Sequence, residues 1–196
     1  MTPLSALHLI WGLWGASWLV AGLWTARTVA RSTLRGTRST LAIVFLGFFG
    51  LFGEPPGHIA SLWRTPGLLG WAMVALATAG FLFAWWARLH LGRLWSGGVV
   101  RREAHRLVDS GPYRIVRHPI YTGLIAAAAA LAAVKASPLA IGGALCVGLG
   151  FALKARVEER FLAAELGAPA YAAYRARVPM LVPHPFGGKR RIEPDD

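Results

Sequence analysis

Five apolar runs, separated by polar connections, limit this chain to a bundle of membrane-crossing helices. They extend roughly from Leu4 to Trp24, Thr40 to Gly53, Gly67 to Ala87, Ile120 to Val134 and Leu139 to Ala155. A helix needs about 20 residues to cross a bilayer, with about 17 to 25 tolerated. The first and third runs reach that length alone; the second, fourth and fifth reach it only with flanking residues. Between the fourth and fifth stand only Lys135, Ala136, Ser137 and Pro138, which predicts a tight antiparallel hairpin. Its abundant Ala and Gly let membrane helices approach closely.

Basic charge sorts itself by connection. Of 21 Lys and Arg, all but Arg64 and Lys135 fall in the connection between runs one and two, in that between runs three and four, or from Lys154 onward. Basic connections stay on the cytoplasmic side, so the alternation predicts five spans, with the N-terminus outside and the C-terminus in the cytoplasm. The formal net charge of +12 therefore points to a membrane surface rather than to nucleic acid. The first basic residue, Arg27, follows the first apolar run instead of preceding it. That run thus reads as a retained helix and not as a secretory signal. The expectation is one all-α, polytopic membrane domain over residues 1–196. It divides into three N-terminal spans (1–87), a cytoplasmic loop (88–118), a helical hairpin (119–155), and cytoplasmic helices with a tail (156–196). The hairpin carries a cytoplasmic cap.

The most polar and most bent segment, "SGPYRIVRHPIYTG", lies directly before the fourth run. Pro119 suits the first turn of a helix, where its missing N–H costs nothing. Arg117 and His118 then sit at a helix N-terminus, whose unpaired N–H groups and dipole favour an anion. Tyr121 lies one turn further in. The second polar cluster, "KARVEER", stands where the fifth run ends. Lys154 and Glu158 share a helix face, and Arg156 and Glu159 are three apart. Because the hairpin returns to the surface it left, His118, Tyr121 and Glu158 are expected to line one pocket. Interfacial Tyr and Arg are also common membrane anchors, and an ion pair just outside a membrane is also common.

Other chemistries find less support. The single Cys146 excludes an intramolecular disulfide and a CxxC metal site. His8, His58, His90 and His184 lack metal-ligand spacing, so no metal is expected. No Gly-rich phosphate loop of the P-loop or Rossmann type is present.

Taken in order, "HRLVDSGPYRIVRHPIYTG", "EER" and "YAAYRARVPMLVP" resemble the isoprenylcysteine carboxyl methyltransferase family and its phospholipid N-methyltransferase relatives. The resemblance covers roughly Arg88 to Pro183. It implies an integral-membrane enzyme that uses S-adenosylmethionine without a Rossmann domain, bound in a cytoplasmic pocket. Carried over, His105, Arg106, Leu107 and Val108 supply backbone contacts to the cofactor. Tyr113, His118, Pro119 and Tyr121 hold it from the hairpin side, and Glu158 from the emerging helix, with Glu159 as rival. Lys154 stands where the family often has a basic residue, and Arg117 or Arg156 is placed to orient an acidic acceptor. The implied partners are membrane lipids and a lipophilic or small-molecule methyl acceptor bearing a carboxylate, thiol or amine. The implied setting is a bacterial inner membrane. Two rivals share parts of this pattern: an NADPH-dependent membrane reductase of the sterol-reductase type, and a non-enzymatic membrane scaffold.

Overall fold

The structure is a computed structural model, and it describes residues 1–23, 28–31, 37–53, 61–92, 100–102, 108–166 and 168–183. Among these residues six α-helices carry the fold: α1 (Pro3–Gly22), α2 (Thr37–Phe52), α3 (Gly67–Leu91), α4 (Pro119–Lys135), α5 (Pro138–Leu166) and α6 (Ala168–Arg177). Two short strands, β1 (Thr28–Arg31) and β2 (Val100–Arg102), pair antiparallel. The partner of β2 comes from the α1–α2 connection. That ladder gathers two of the basic connections at one end of the bundle.

Among the described residues, three helices are long and apolar enough to cross a membrane by length and composition: α1, α3 and Pro138–Ala164 of α5. The other two apolar helices are shorter, with 16 residues in α2 and 17 in α4.

Helix ends follow local chemistry. Thr2 and Ser5 cap α1 reciprocally, with Pro3 at its first position. The buried Arg88 donates to Gly92 O at 2.7 Å and to Ala21 O at 2.8 Å, closing the C-termini of α3 and α1 together. Cations are favoured at such termini, and a hydrogen bond from a charged group is worth about 1.5 to 3 kcal/mol. At the opposite end Lys135 donates to Gly53 O at 3.0 Å and Leu51 O at 3.3 Å, serving α2 in the same way. Ala136 adopts a left-handed φ of 52°, which turns α4 into α5.

Glycine sets the helix packing. A Cβ on Gly123 would lie 2.1 Å from Gly80 O, so α4 crosses α3 backbone to backbone. Between α2 and α5, a Cβ on Gly143 would meet Leu51 N at 2.3 Å, and one on Gly47 would meet Val147 N at 2.6 Å. Such close approach is the expected use of small residues in membrane helices. Aromatic rings fill the space around α1: Trp11 packs edge-on against Phe81, with ring centroids 4.7 Å apart, and Trp14 stacks on Phe81 at 5.1 Å.

Candidate active site

The site is built where α4 begins and α5 leaves the apolar bundle. His118 is the N-cap of α4, with Pro119 at the first helical position. Its side chain makes no capping bond, which leaves the imidazole free to reach across to α5. There, successive residues diverge by about 100° around a helix of 3.6 residues per turn. Glu158 and Glu159 therefore face different partners. Glu158 accepts from the Tyr121 hydroxyl at 2.7 Å and pairs with Lys154 one turn earlier. Glu159 accepts from Arg117 Nε at 2.7 Å. His118 stands between them, with Nε2 3.3 Å from Glu159 Oε1 and Nδ1 3.7 Å from Glu158 Oε2.

Aromatic stacking holds this arrangement. The His118 and Tyr121 rings are parallel within 3° at 5.5 Å, and Tyr121 in turn stacks on Phe151 at 4.7 Å. Lys154 Nζ lies 4.9 Å from the Tyr121 ring centroid and donates to its hydroxyl. Arg117, His118, Lys154 and Glu159 are almost fully withdrawn from solvent, whereas the Glu158 side chain keeps 17% exposure. Buried ions persist only when paired, because isolated ones are too costly to desolvate. Here two buried cations meet two anions, and the exposed Arg175 adds a third cation 3.6 Å from Glu159. Of the two acids, Glu158 is the one open to an incoming group.

A roof lies over this cluster. Gly111 adopts a φ of +57°, and a Cβ there would stand 2.8 Å from the His90 ring, so only glycine fits the turn that opens the 3-10 segment Gly111–Arg114. His90 Nε2 lies 2.9 Å from Ser110 Oγ. Tyr113 is buried, with its carbonyl accepting from the Tyr174 hydroxyl at 2.7 Å. Burial pushes both phenols well above their ordinary pKa, which keeps them protonated. Tyr171, Tyr174 and Val178 pack on Leu162 and Ala163, folding α6 back onto the end of α5.

The structure thus brings together Arg117, His118, Tyr121, Lys154, Glu158 and Glu159, with Pro119 buried beneath them and Tyr113 in the adjoining roof. Arg156 stays apart: it is exposed, and Glu159 pairs with Arg117 instead. Val108 is half-buried before the roof, while His105, Arg106 and Leu107 lie outside the described residues. Three participants escaped sequence reasoning. Phe151 was available from its spacing of three from Lys154. Thr122 and the backbone of residues 178–181 gave no local signal.

Residues 64–164 match the family model described as the isoprenylcysteine carboxyl methyltransferase (ICMT) family. The chain belongs to the ICMT family. Every buried charged member of the cluster falls inside that ICMT match, while α6, with Arg175, and the segment after it fall outside. Among curated proteins, the chain is 32% identical over 178 residues to "Methanethiol S-methyltransferase 2" of Bradyrhizobium diazoefficiens, covering 85% of this chain and 66% of that protein. It is 35% identical over 127 residues to "Cobalt-zinc-cadmium resistance protein CzcN" of Cupriavidus metallidurans, covering 64% and 51%. Against "Protein-S-isoprenylcysteine O-methyltransferase B" of Arabidopsis thaliana it is 37% identical over 84 residues, 42% of each chain. The chain therefore spans at most 66% of the length of these relatives.

Proposed function

We propose that this ICMT-family chain is an S-adenosylmethionine-dependent methyltransferase acting at the cytoplasmic face of a membrane, on a small or lipophilic acceptor bearing a thiol, carboxylate or amine. One observation carries the reading: within the family match, the partly open Glu158 carboxylate stands beside the His118-capped N-terminus of α4. That donor set fits the amino-acid end of the cofactor. Glu158 suits its ammonium, and the N–H groups of the first α4 turn suit its carboxylate. When bound there, S-adenosylmethionine would supply an electrophilic methyl group on a sulfonium centre, whose thioether would be the leaving group.

The protein's own part is to bind and to align. Lys154 and Tyr121 hold Glu158 toward the site, and His118 separates the two acids. Positioning of this kind removes the entropy of bringing two reactants into line. A thiolate or carboxylate acceptor needs no general base. Arg117 is taken up by Glu159 and by backbone carbonyls, which favours an anchoring role over contact with the acceptor. Exposed Arg156 is the weaker candidate for guiding an acidic acceptor.

The same reading takes all five apolar helices as crossings of a bacterial inner membrane, N-terminus outside. The sorting of basic residues supports it. At 1.5 Å per residue α2 and α4 span about 24 to 26 Å, so flanking residues or local thinning would complete the roughly 30 Å crossing.

The test is calorimetric titration of detergent-purified protein with S-adenosylmethionine, beside His118→Ala and Glu158→Gln, with NADPH in parallel. Binding by the wild type that both substitutions weaken is expected, and a panel of lipophilic thiols, carboxylates and amines then identifies the acceptor. Folded wild type that binds no S-adenosylmethionine overturns the reading; NADPH binding in its place points to a reductase.

A further inference from the structure

After α6 the chain returns across the start of α4 as a strap, residues 178–183. The Arg117 amide donates to Pro179 O at 2.9 Å and the His118 amide to Met180 O at 3.1 Å. The Thr122 hydroxyl donates to Leu181 O at 2.6 Å. Arg117 reaches the same segment through its side chain, where Nη1 donates to the carbonyls of Arg175, at 3.2 Å, and Val178. Carbonyls at the end of a helix have no intrahelical partner and need such donors. The other arm of the same guanidinium, Nε, holds Glu159.

We infer that Arg117 is a positioning residue: it locks the 178–183 strap to Glu159, and the docked strap sets the His118–Glu159 geometry that the cofactor site requires. The inference rests on the methyltransferase reading and adds to it a part of the chain beyond the family match. A planar guanidinium can serve a carboxylate and two carbonyls in fixed directions at once, whereas an ammonium on a flexible stem cannot hold all three. Losing the strap would leave carbonyl partners of Arg117 unmade and uncover the backbone amides on either side of the 117–118 peptide. The orientation of His118 would then rest on its ring contacts alone.

The experiment measures two things on the full chain in detergent: deuterium uptake of peptides covering residues 117–122, which needs no cofactor, and S-adenosylmethionine affinity. The variants are Arg117→Ala, Arg117→Lys, Thr122→Val and, as a control on an exposed ion pair, Arg177→Ala. Arg117→Ala should speed exchange at 117–118 and weaken S-adenosylmethionine binding by about tenfold or more, the loss of one charged hydrogen bond. Arg117→Lys should recover part of both. Thr122→Val leaves the Arg117–Glu159 pair intact, yet should loosen the strap and weaken binding in proportion; Arg177→Ala should change neither. Faster exchange without weaker binding in Thr122→Val overturns the coupling. Weaker binding without faster exchange in Arg117→Ala overturns it too, by making Arg117 a ligand contact. Wild type that binds no S-adenosylmethionine defeats the methyltransferase reading alone, and the exchange data still decide whether Arg117 positions the strap.

Discussion

Tyr121 donates its hydroxyl to Glu158 Oε1 across 2.7 Å, a bond between the first turn of α4 and the end of α5. It is a charge-assisted bond, of the stronger kind. It also aims the more open of the two acids. Tyr121→Phe keeps the stacking on His118 and Phe151 and removes this bond together with the one the hydroxyl accepts from Lys154. Calorimetry should show S-adenosylmethionine affinity lower by about tenfold or more, with little change in thermal stability. Unchanged affinity would separate Glu158 from cofactor binding.

Lys154 and Glu158 form a pair whose members depend on each other. Removing one partner of a buried pair costs about 3 to 5 kcal/mol, because the remaining charge is stranded. Lys154→Met and Glu158→Gln should each lower the unfolding temperature in detergent, since each strands the charge of the other partner. The double variant should lose less than the two single losses combined. Additive losses would show that the pair is not coupled.

Gly143 and Gly12 make a matched contrast. A Cβ on Gly143 would stand 2.3 Å from Leu51 N, whereas nothing lies within 4 Å of one on Gly12. Gly143→Ala should force α2 and α5 apart and cost about 1 to 3 kcal/mol or more. Gly12→Ala should be neutral or slightly stabilising, since alanine is the better helix former. Fluorescence-detected thermal melts of the two variants check both at once.

Orientation can be read chemically. Ser61 and Arg156 are both exposed, at opposite ends of the bundle. In a Cys146→Ala background, Ser61→Cys should react with a membrane-impermeant maleimide in intact cells, and Arg156→Cys only after lysis. The reverse pattern would invert the proposed topology.

Much of the site was legible because its signals are local. Lys154 and Glu158 are one helical turn apart, Pro119 marks a helix start, and a four-residue turn obliges α4 and α5 to meet again where they began. From those three facts His118, Tyr121 and Glu158 fall together without any knowledge of tertiary structure. The choice between Glu158 and Glu159 had no such answer, since adjacent residues on a helix diverge and both acids turn out to be engaged. Arg156 lies two positions from Lys154, about 200° around the helix, which explains its exposure. The tie from Arg117 to Arg175 and Val178 joins residues 58 and 61 apart. No periodicity reaches that far, and only the folded backbone of residues 178–181 reveals it. Helix lengths were legible too: the second run becomes α2, Thr37–Phe52, the fourth becomes α4, Pro119–Lys135, and the helix-forming stretch after Lys154 carries α5 on to Leu166.

The contact between Gly80 and Gly123 bears on traffic through the molecule. With two main chains touching there, the seam between α3 and α4 is shut at that level, so no solute threads between those two helices from one face to the other. On the proposed methyltransferase reading, an acceptor would reach Glu158 by a route other than this seam, and a lipid-borne one would leave its tail in the bilayer while its reactive atom is presented to the site.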